Sequence, residues 1–175
     1  MAKDQDEAPI INISAYHRDL YQLLTLLLAD EKVAMNANFK NLSESNHDNE
    51  VNRLLIWIAI ATRQLLDIKT HSIGVRVCGK FCKDFPDTPD TEYEGLTFRQ
   101  ACNAIIHAVE ILSYDPDDEE STKEGAWKAD YYKGTIIIRG KQGKGRRQRS
   151  TRALLNCEEF VEYCIFLSEE FTEEV

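Results

Sequence analysis

Leu96-Thr97-Phe98-Arg99-Gln100-Ala101-Cys102-Asn103-Ala104-Ile105-Ile106-His107-Ala108 opens with every signal of a helix start. Thr97 can cap, and Gln100, three residues on, can reach back to complete a capping box. Leu96 before the cap and Ala101 after it occupy the positions of a hydrophobic staple. Pro116, after Ser113-Tyr114-Asp115, is the residue expected to stop the helix. At roughly 100° per residue, Phe98, Ala101, Cys102, Ile105, Val109 and Leu112 gather on one face, the core side. Arg99, Asn103 and His107 follow at i, i+4 and i+8. They drift by only about 80° and lie largely off that face. A cation, an amide and an imidazole are therefore expected along one flank of an otherwise apolar helix.

Working outward, two apolar stripes at helical spacing precede this stretch. Leu20, Leu23, Leu24, Leu27 and Leu28 mark a helix from Tyr16 to about Asn36, with Ser14 offered as its cap. Val51, Leu54, Leu55, Ile58, Ala61, Leu65 and Ile68 mark a second, opened near Ser45-Asn46-His47-Asp48. Trp57 and Ile60 fall off its main stripe, so this helix is expected to be central or covered by a second subunit. Its Arg53 and Arg63 read as a solvated or salt-bridged face. Residues 70–95 are the least regular part. Ile73-Gly74-Val75-Arg76-Val77 reads as a short strand or an extended connection, and Pro86 and Pro89 as a surface loop.

After Pro116 an acidic loop runs from Asp115 to Glu120, and then the character of the chain changes. Gly134-Thr135-Ile136-Ile137-Ile138-Arg139 is β-branched and strand-like, and the glycines of 140–145 suit a hairpin loop. Arg149 to Leu155 would be the returning strand. The last helix has Asn156 as cap, Glu159 as capping-box partner and a Leu155–Phe160 staple. Phe160, Cys164, Leu167 and Phe171 form its core stripe. The expected fold is mainly α: a four-helix bundle over residues 14–175, with a basic β-hairpin at 133–155 inserted before the last helix. Residues 1–13 form a polar tail.

The run Cys102-Asn103-Ala104-Ile105-Ile106-His107-Ala108, late in a helical chain, resembles the motif helix of the HEPN superfamily. These are small all-α domains, many of them metal-independent ribonucleases of defence and toxin–antitoxin systems. Asn103 and His107 carry the resemblance. Arg99 lies further from His107 than the family pattern places it, and Cys102 stands where a closer Arg would be. The resemblance implies a HEPN-like bundle, a homodimer with motif helices facing each other, and no cofactor or metal. It implies an RNA-directed protein with Arg99, Asn103 and His107 as catalytic residues, its enzymatic form a metal-independent endoribonuclease. An imidazole can move the 2′-hydroxyl proton. An Arg can neutralise charge on the phosphate, and an Asn can orient either partner. The alternative is a non-catalytic binding module in which the motif is structural.

Charge supplies a second pointer. The chain carries a formal net charge of −9, so its average surface repels nucleic acid and anionic membrane. Yet Lys133, Arg139, Lys141, Lys144, Arg146, Arg147, Arg149 and Arg152 fall in one span that holds no acid. Lys141, Lys144, Arg146, Arg147, Arg149 and Arg152 are the candidate nucleic-acid contacts, because a Gly-rich loop allows backbone approach and Arg binds phosphate bidentately. An acidic protein, or the chain's own acidic surface, would fit the same residues. No P-loop sequence is present. No apolar run approaches the roughly 20 residues of a membrane span. The acidic, polar N-terminus has no secretory character. Cys78 and Cys82 are close, but with Cys157, Cys164 and His71 they make a poorly spaced zinc set. The five cysteines therefore read as reduced thiols of a cytoplasmic protein.

Overall fold

Strand pairing between segments of three to eight residues, as well as helical stripes, organises this chain. The computed structural model describes residues 11–36, 47–68, 72–83, 92–113, 132–143 and 149–172. Helix α1 spans Ile13–Ala34 and α2 spans Asp48–Ile68. A 3-10 turn, Ser72–Val75, leads into strand β1, Val77–Cys82. Strand β2, Glu94–Thr97, runs straight into α3, Phe98–Ile106. Strands β3, β4 and β5 cover Glu110–Leu112, Thr135–Gln142 and Arg149–Asn156, and α4, Cys157–Thr172, closes the described chain.

The five strands form one sheet in the order β2-β1-β5-β4-β3, every neighbouring pair antiparallel. This overturns the expectation of a mainly α bundle with an inserted hairpin. The strands expected at 133–155 exist, but as β4 and β5 they are interior strands of a sheet, flanked by β1 and β3. The helical wheel concealed β3. Val109 and Leu112 continue the helical stripe of Phe98, Ala101, Cys102 and Ile105, yet α3 ends at Ile106. The Val109 amide donates to Arg139 O at 2.8 Å, and Val109 is 67% exposed rather than in the core. Ile111, opposite Ile138, takes the buried position instead. The burial of β1 and β2 follows no strict alternation, so a period-two reading does not single them out.

Gly79 is dictated by β1–β5 contact: a Cβ there would collide with the carbonyl oxygen of Leu154. Gly143, at φ +95°, begins the β4–β5 connection in a conformation that suits glycine.

One hydrophobic core joins the layers. Ile136 and Ile138 of β4, with Ala153 and Leu155 of β5, meet Phe98, Ala101, Cys102 and Ile105 of α3 and Phe160, Cys164 and Leu167 of α4. Helix α2 packs against α1, α3 and α4. Its Leu54, Leu55 and Ile58 are fully buried, while Trp57 is 54% exposed. The apolar character that suggested a second subunit over α2 is therefore largely covered within the chain. Arg53 pairs with Glu50 and Arg63 with Asp67, the salt-bridged faces expected of them. In α1 the cap is Asn12, whose Oδ1 accepts from the Ala15 amide, rather than Ser14.

A polar clasp fastens the helices to the sheet at the α1–α2 end. Asp30 accepts from the Tyr132 amide at 2.8 Å and lies 3.4 Å from His47 Nε2. His47 Nδ1 lies 3.6 Å from Asp48, which accepts from Ser113 Oγ at 2.9 Å. Residues of α1, of the start of α2, of the end of β3 and of the lead into β4 meet there.

Candidate nucleic-acid interface

The sequence of α3 decides what its flank can do. Its start is fixed by a capping box: Thr97 Oγ accepts from the Gln100 amide, and Gln100 Oε1 accepts from the Thr97 amide at 3.0 Å. The Thr97 hydroxyl also donates to Gln100 Oε1 at 2.9 Å. From that start the Arg99, Asn103, His107 row emerges off the core face, but its members go to different tasks.

Arg99 turns toward α2. Its Nη1 donates to Asp67 at 2.6 Å and its Nη2 to the carbonyl of Leu66 at 2.8 Å. Arg63 donates to Asp67 and, at 3.3 Å, to Asn103 Oδ1. The Arg99 hydrogen bond, followed by that of Arg63, holds the Asp67 carboxyl below the usual carboxylate range. Arg99, Asp67, Arg63 and Asn103 thus form a chain of bonds that locks α3 onto the C-terminal turn of α2. Arg99 is engaged within the protein.

His107 is the C-cap residue of α3 and is exposed. Its amide donates to Asn103 O, and no hydrogen bond to its ring is found among the described residues. It lines a cleft of about 290 Å³ between α3 and the sheet. Helix α3, of nine residues, is about 13 Å long, and the eight-residue strands β4 and β5 run about 27 Å. Gln100, Asn103 and His107 line the helix side. Phe81, Ile138, Gly140, Thr151 and Ala153 line the sheet side, brought together by the pairings of Phe81 and Ile138 with Ala153 and of Gly140 with Thr151.

Among the described basic residues of the hairpin, one lines this cleft. Lys141 lines it and is exposed. Arg149, also exposed, is the register partner of Gln142, another lining residue. Arg152 is 8% exposed, opposite Arg139, and so belongs to the interior of the sheet rather than its surface. Arg139 pairs with Glu110 at 2.9 Å. Lys83 lines the cleft but is held by Glu94. Lys144, Arg146 and Arg147 lie outside the described residues, as do the 115–120 loop, Pro86, Pro89 and His71.

Thiol chemistry is disfavoured here. All five cysteines are buried. Burial pushes the Cys78 and Cys164 thiols up to about 12, and raises that of Cys102 on α3. Among the described residues no group of three or more His, Cys, Asp and Glu side chains could hold a metal ion, and no helix is long and apolar enough to cross a membrane.

Sequence reading brought Asn103, His107, Lys141 and Arg149 into view but not Phe81, Gln142 or Thr151. Those depend on strand pairing. A period-two reading of Ile138, Gly140 and Gln142 would have put them on one face of a strand, but nothing in the sequence says which helix faces them. No protein-family model, no curated protein and no solved structure matches this chain.

Proposed function

We propose that this protein binds RNA, with the strand lying across the β4–β5 hairpin and one of its nucleotides entering the cleft beside His107. The observation that carries this reading is the cleft itself, which sets Asn103 and His107 on the same surface as Lys141 of the basic span. Lys141 and Arg149 supply positive charge for phosphates on a chain whose net charge is otherwise strongly negative. A single strand can splay a base into a cleft of this size, whereas a duplex cannot.

A second reading, cleavage, is favoured by the open His107 ring. In that reaction the 2′-oxygen attacks the adjacent phosphorus and His107 takes its proton. The 5′-oxygen leaves with a proton from solvent, and a 2′,3′-cyclic phosphate forms. Arg99 takes no part, since Asp67 holds it. Lys141 is the cation available to the phosphate.

Fluorescence anisotropy of a labelled single-stranded RNA across a salt series tests the proposal. Affinity should fall linearly with salt on logarithmic axes. The Lys141→Ser/Arg149→Ser double variant should lower that slope by about two. Absence of salt-sensitive RNA binding by the parent protein overturns the reading and makes an acidic protein the partner to seek. For cleavage, His107→Ala should slow product formation by about 10²-fold, in EDTA as without it. RNA left intact by the parent protein ends the second reading and leaves the first standing.

A further inference from the structure

Gly140 has no conformational reason to be a glycine. It lies inside β4, and the pairing of β4 with β5 runs unbroken from the Thr135–Asn156 pair to the Gln142–Arg149 pair, so no bulge falls there. The described glycines with positive φ are Gly134 and Gly143, and Gly140 is not one of them. A glycine inside a regular strand weakens it, because it costs backbone entropy and packs no side chain. Where no bulge or bend needs it, such a glycine marks a place that another group approaches closely. Three neighbours bear on Gly140. A Cβ there would lie 4.0 Å from the His107 carbonyl oxygen, an ordinary contact that alanine would tolerate. It would lie 2.9 Å from Thr151 Oγ1, which is too close, but that oxygen ends a side chain that turns about one bond. The third neighbour is the cleft, which Gly140 lines. Ile138, Gly140 and Gln142 share one face of β4, with Ala153 and Thr151 of β5 beside the first two, so Gly140 lies in the floor.

We infer that Gly140 determines what the cleft admits: the nucleotide held beside His107 lies against the bare β4 backbone, in the space that a side chain at 140 would fill. This role rests on the proposed RNA binding and names the residue that shapes its site. Any side chain at 140 narrows the gap between β4 and the C-terminal end of α3, since its first carbon already reaches the His107 carbonyl. The cleft, about 290 Å³, is at the lower edge of small-ligand pockets, so a ligand that fills it feels the loss of one methyl's worth of space. The contact is one of shape and carries no charge, which separates it from the phosphate contacts of the basic residues.

Anisotropy of a labelled single-stranded RNA tests this, with Tm measured on the same proteins. Gly140→Ala should lower RNA affinity about tenfold. Its salt slope should match that of the parent, because no phosphate contact is removed. A Thr151→Ala background removes the crowding inside the protein. There Gly140→Ala should leave Tm equal or higher, since alanine is the better strand residue. It should still lower affinity about tenfold relative to Thr151→Ala alone. Equal affinity with and without the added methyl, in protein that binds RNA with normal salt sensitivity, overturns the inference while RNA binding stands. A fall in Tm alongside the fall in affinity in the Thr151→Ala background assigns the glycine to the fold and also overturns it. So does loss of binding in Thr151→Ala alone, which places the contact at the hydroxyl. RNA binding by none of the proteins, the parent included, overturns both this inference and the reading it rests on.

Discussion

The polar groups on the two sides of α3 are treated in opposite ways. Toward α2, Arg99, Asp67, Arg63 and Asn103 Oδ1 are bound to one another, and the network is closed. Toward the sheet, His107, Asn103 and Lys141 line an open cleft. Asn103 belongs to both sides, since its oxygen accepts from Arg63 and the residue also lines the cleft. The clasp of Asp30, His47, Asp48 and Ser113 is a second internal network, at the far end of α2, although Asp30 Oδ1 carries no hydrogen bond in it. Polar groups that satisfy each other fix elements in place. Polar groups left open on a surface formed by two layers are positioned to meet something else.

The sharpest way to break this contrast is to remove Arg99. Arg99→Ala should destabilise the fold by about 1–2 kcal/mol, because it deletes two charge-assisted hydrogen bonds and leaves the Leu66 carbonyl without that donor. The side chain is 34% exposed, which keeps the figure below that for a buried pair. RNA affinity at a temperature well below the transition should stay unchanged. Urea unfolding paired with anisotropy reads both. A loss of RNA affinity larger than the loss of stability would mean that Arg99 reaches the ligand and that the network is not closed.

The clasp makes a smaller, pH-dependent prediction. Burial opposes the charge on His47, but its hydrogen bond to Asp48, the charge of Asp30 and the Leu26 carbonyl together raise its pKa. The hydrogen bond from His47, ahead of that from Ser113, lowers the pKa of Asp48. The stability contributed by His47 is fully present below its unfolded pKa of about 6.5 and is lost as pH rises through its folded value. That contributed by Asp48 is present above about 3.9 and is lost as pH falls through its folded value. Burial raises the Asp30 carboxyl, so its ionised form costs stability as pH rises. The trends of His47 and Asp30 favour the acidic side of neutrality. Tm should therefore fall as pH is raised from about 6 to about 8, and His47→Gln should flatten that slope. An unchanged slope in the variant would place the titrating group outside the clasp.

How much of this was legible in the sequence depends on the range over which each pattern acts. The capping box of α3, the Asn156 cap of α4 and the stripes of α1 and α2 are local, and the residues announce them. The end of α3 is not local. Val109 and Leu112 satisfy a helical stripe as well as they satisfy a chain leaving a helix, and pairing with β4 decides between the two. The same holds for β1, whose Cys78, Gly79 and Phe81 make sense only beside Leu155, Leu154 and Ala153. The helical wheel places Arg99 on a flank. Position on a wheel does not reveal that Asp67, thirty-two residues earlier, would hold its guanidinium. His107 and Asn103 share that flank, and whether they meet a cleft or a helix is set by what packs beside α3, which no local pattern states.

His107→Ala gives the smallest change in stability and tests the open side directly. The His107 ring bonds to nothing among the described residues and is exposed, so the fold loses little with it. Stability should change by no more than about 0.5 kcal/mol, as for surface positions outside any network. The C-cap backbone bond from its amide to Asn103 O is independent of the side chain and should persist. Any RNA cleavage should drop sharply, and RNA binding should weaken modestly, since the cleft wall has lost a ring. Arg99→Ala should show the reverse pairing, with a loss of stability and no loss of binding. The two variants together form a double dissociation along a single nine-residue helix. If His107→Ala instead lowers stability as much as Arg99→Ala does, the imidazole is engaged within the protein, and the cleft is not an open site.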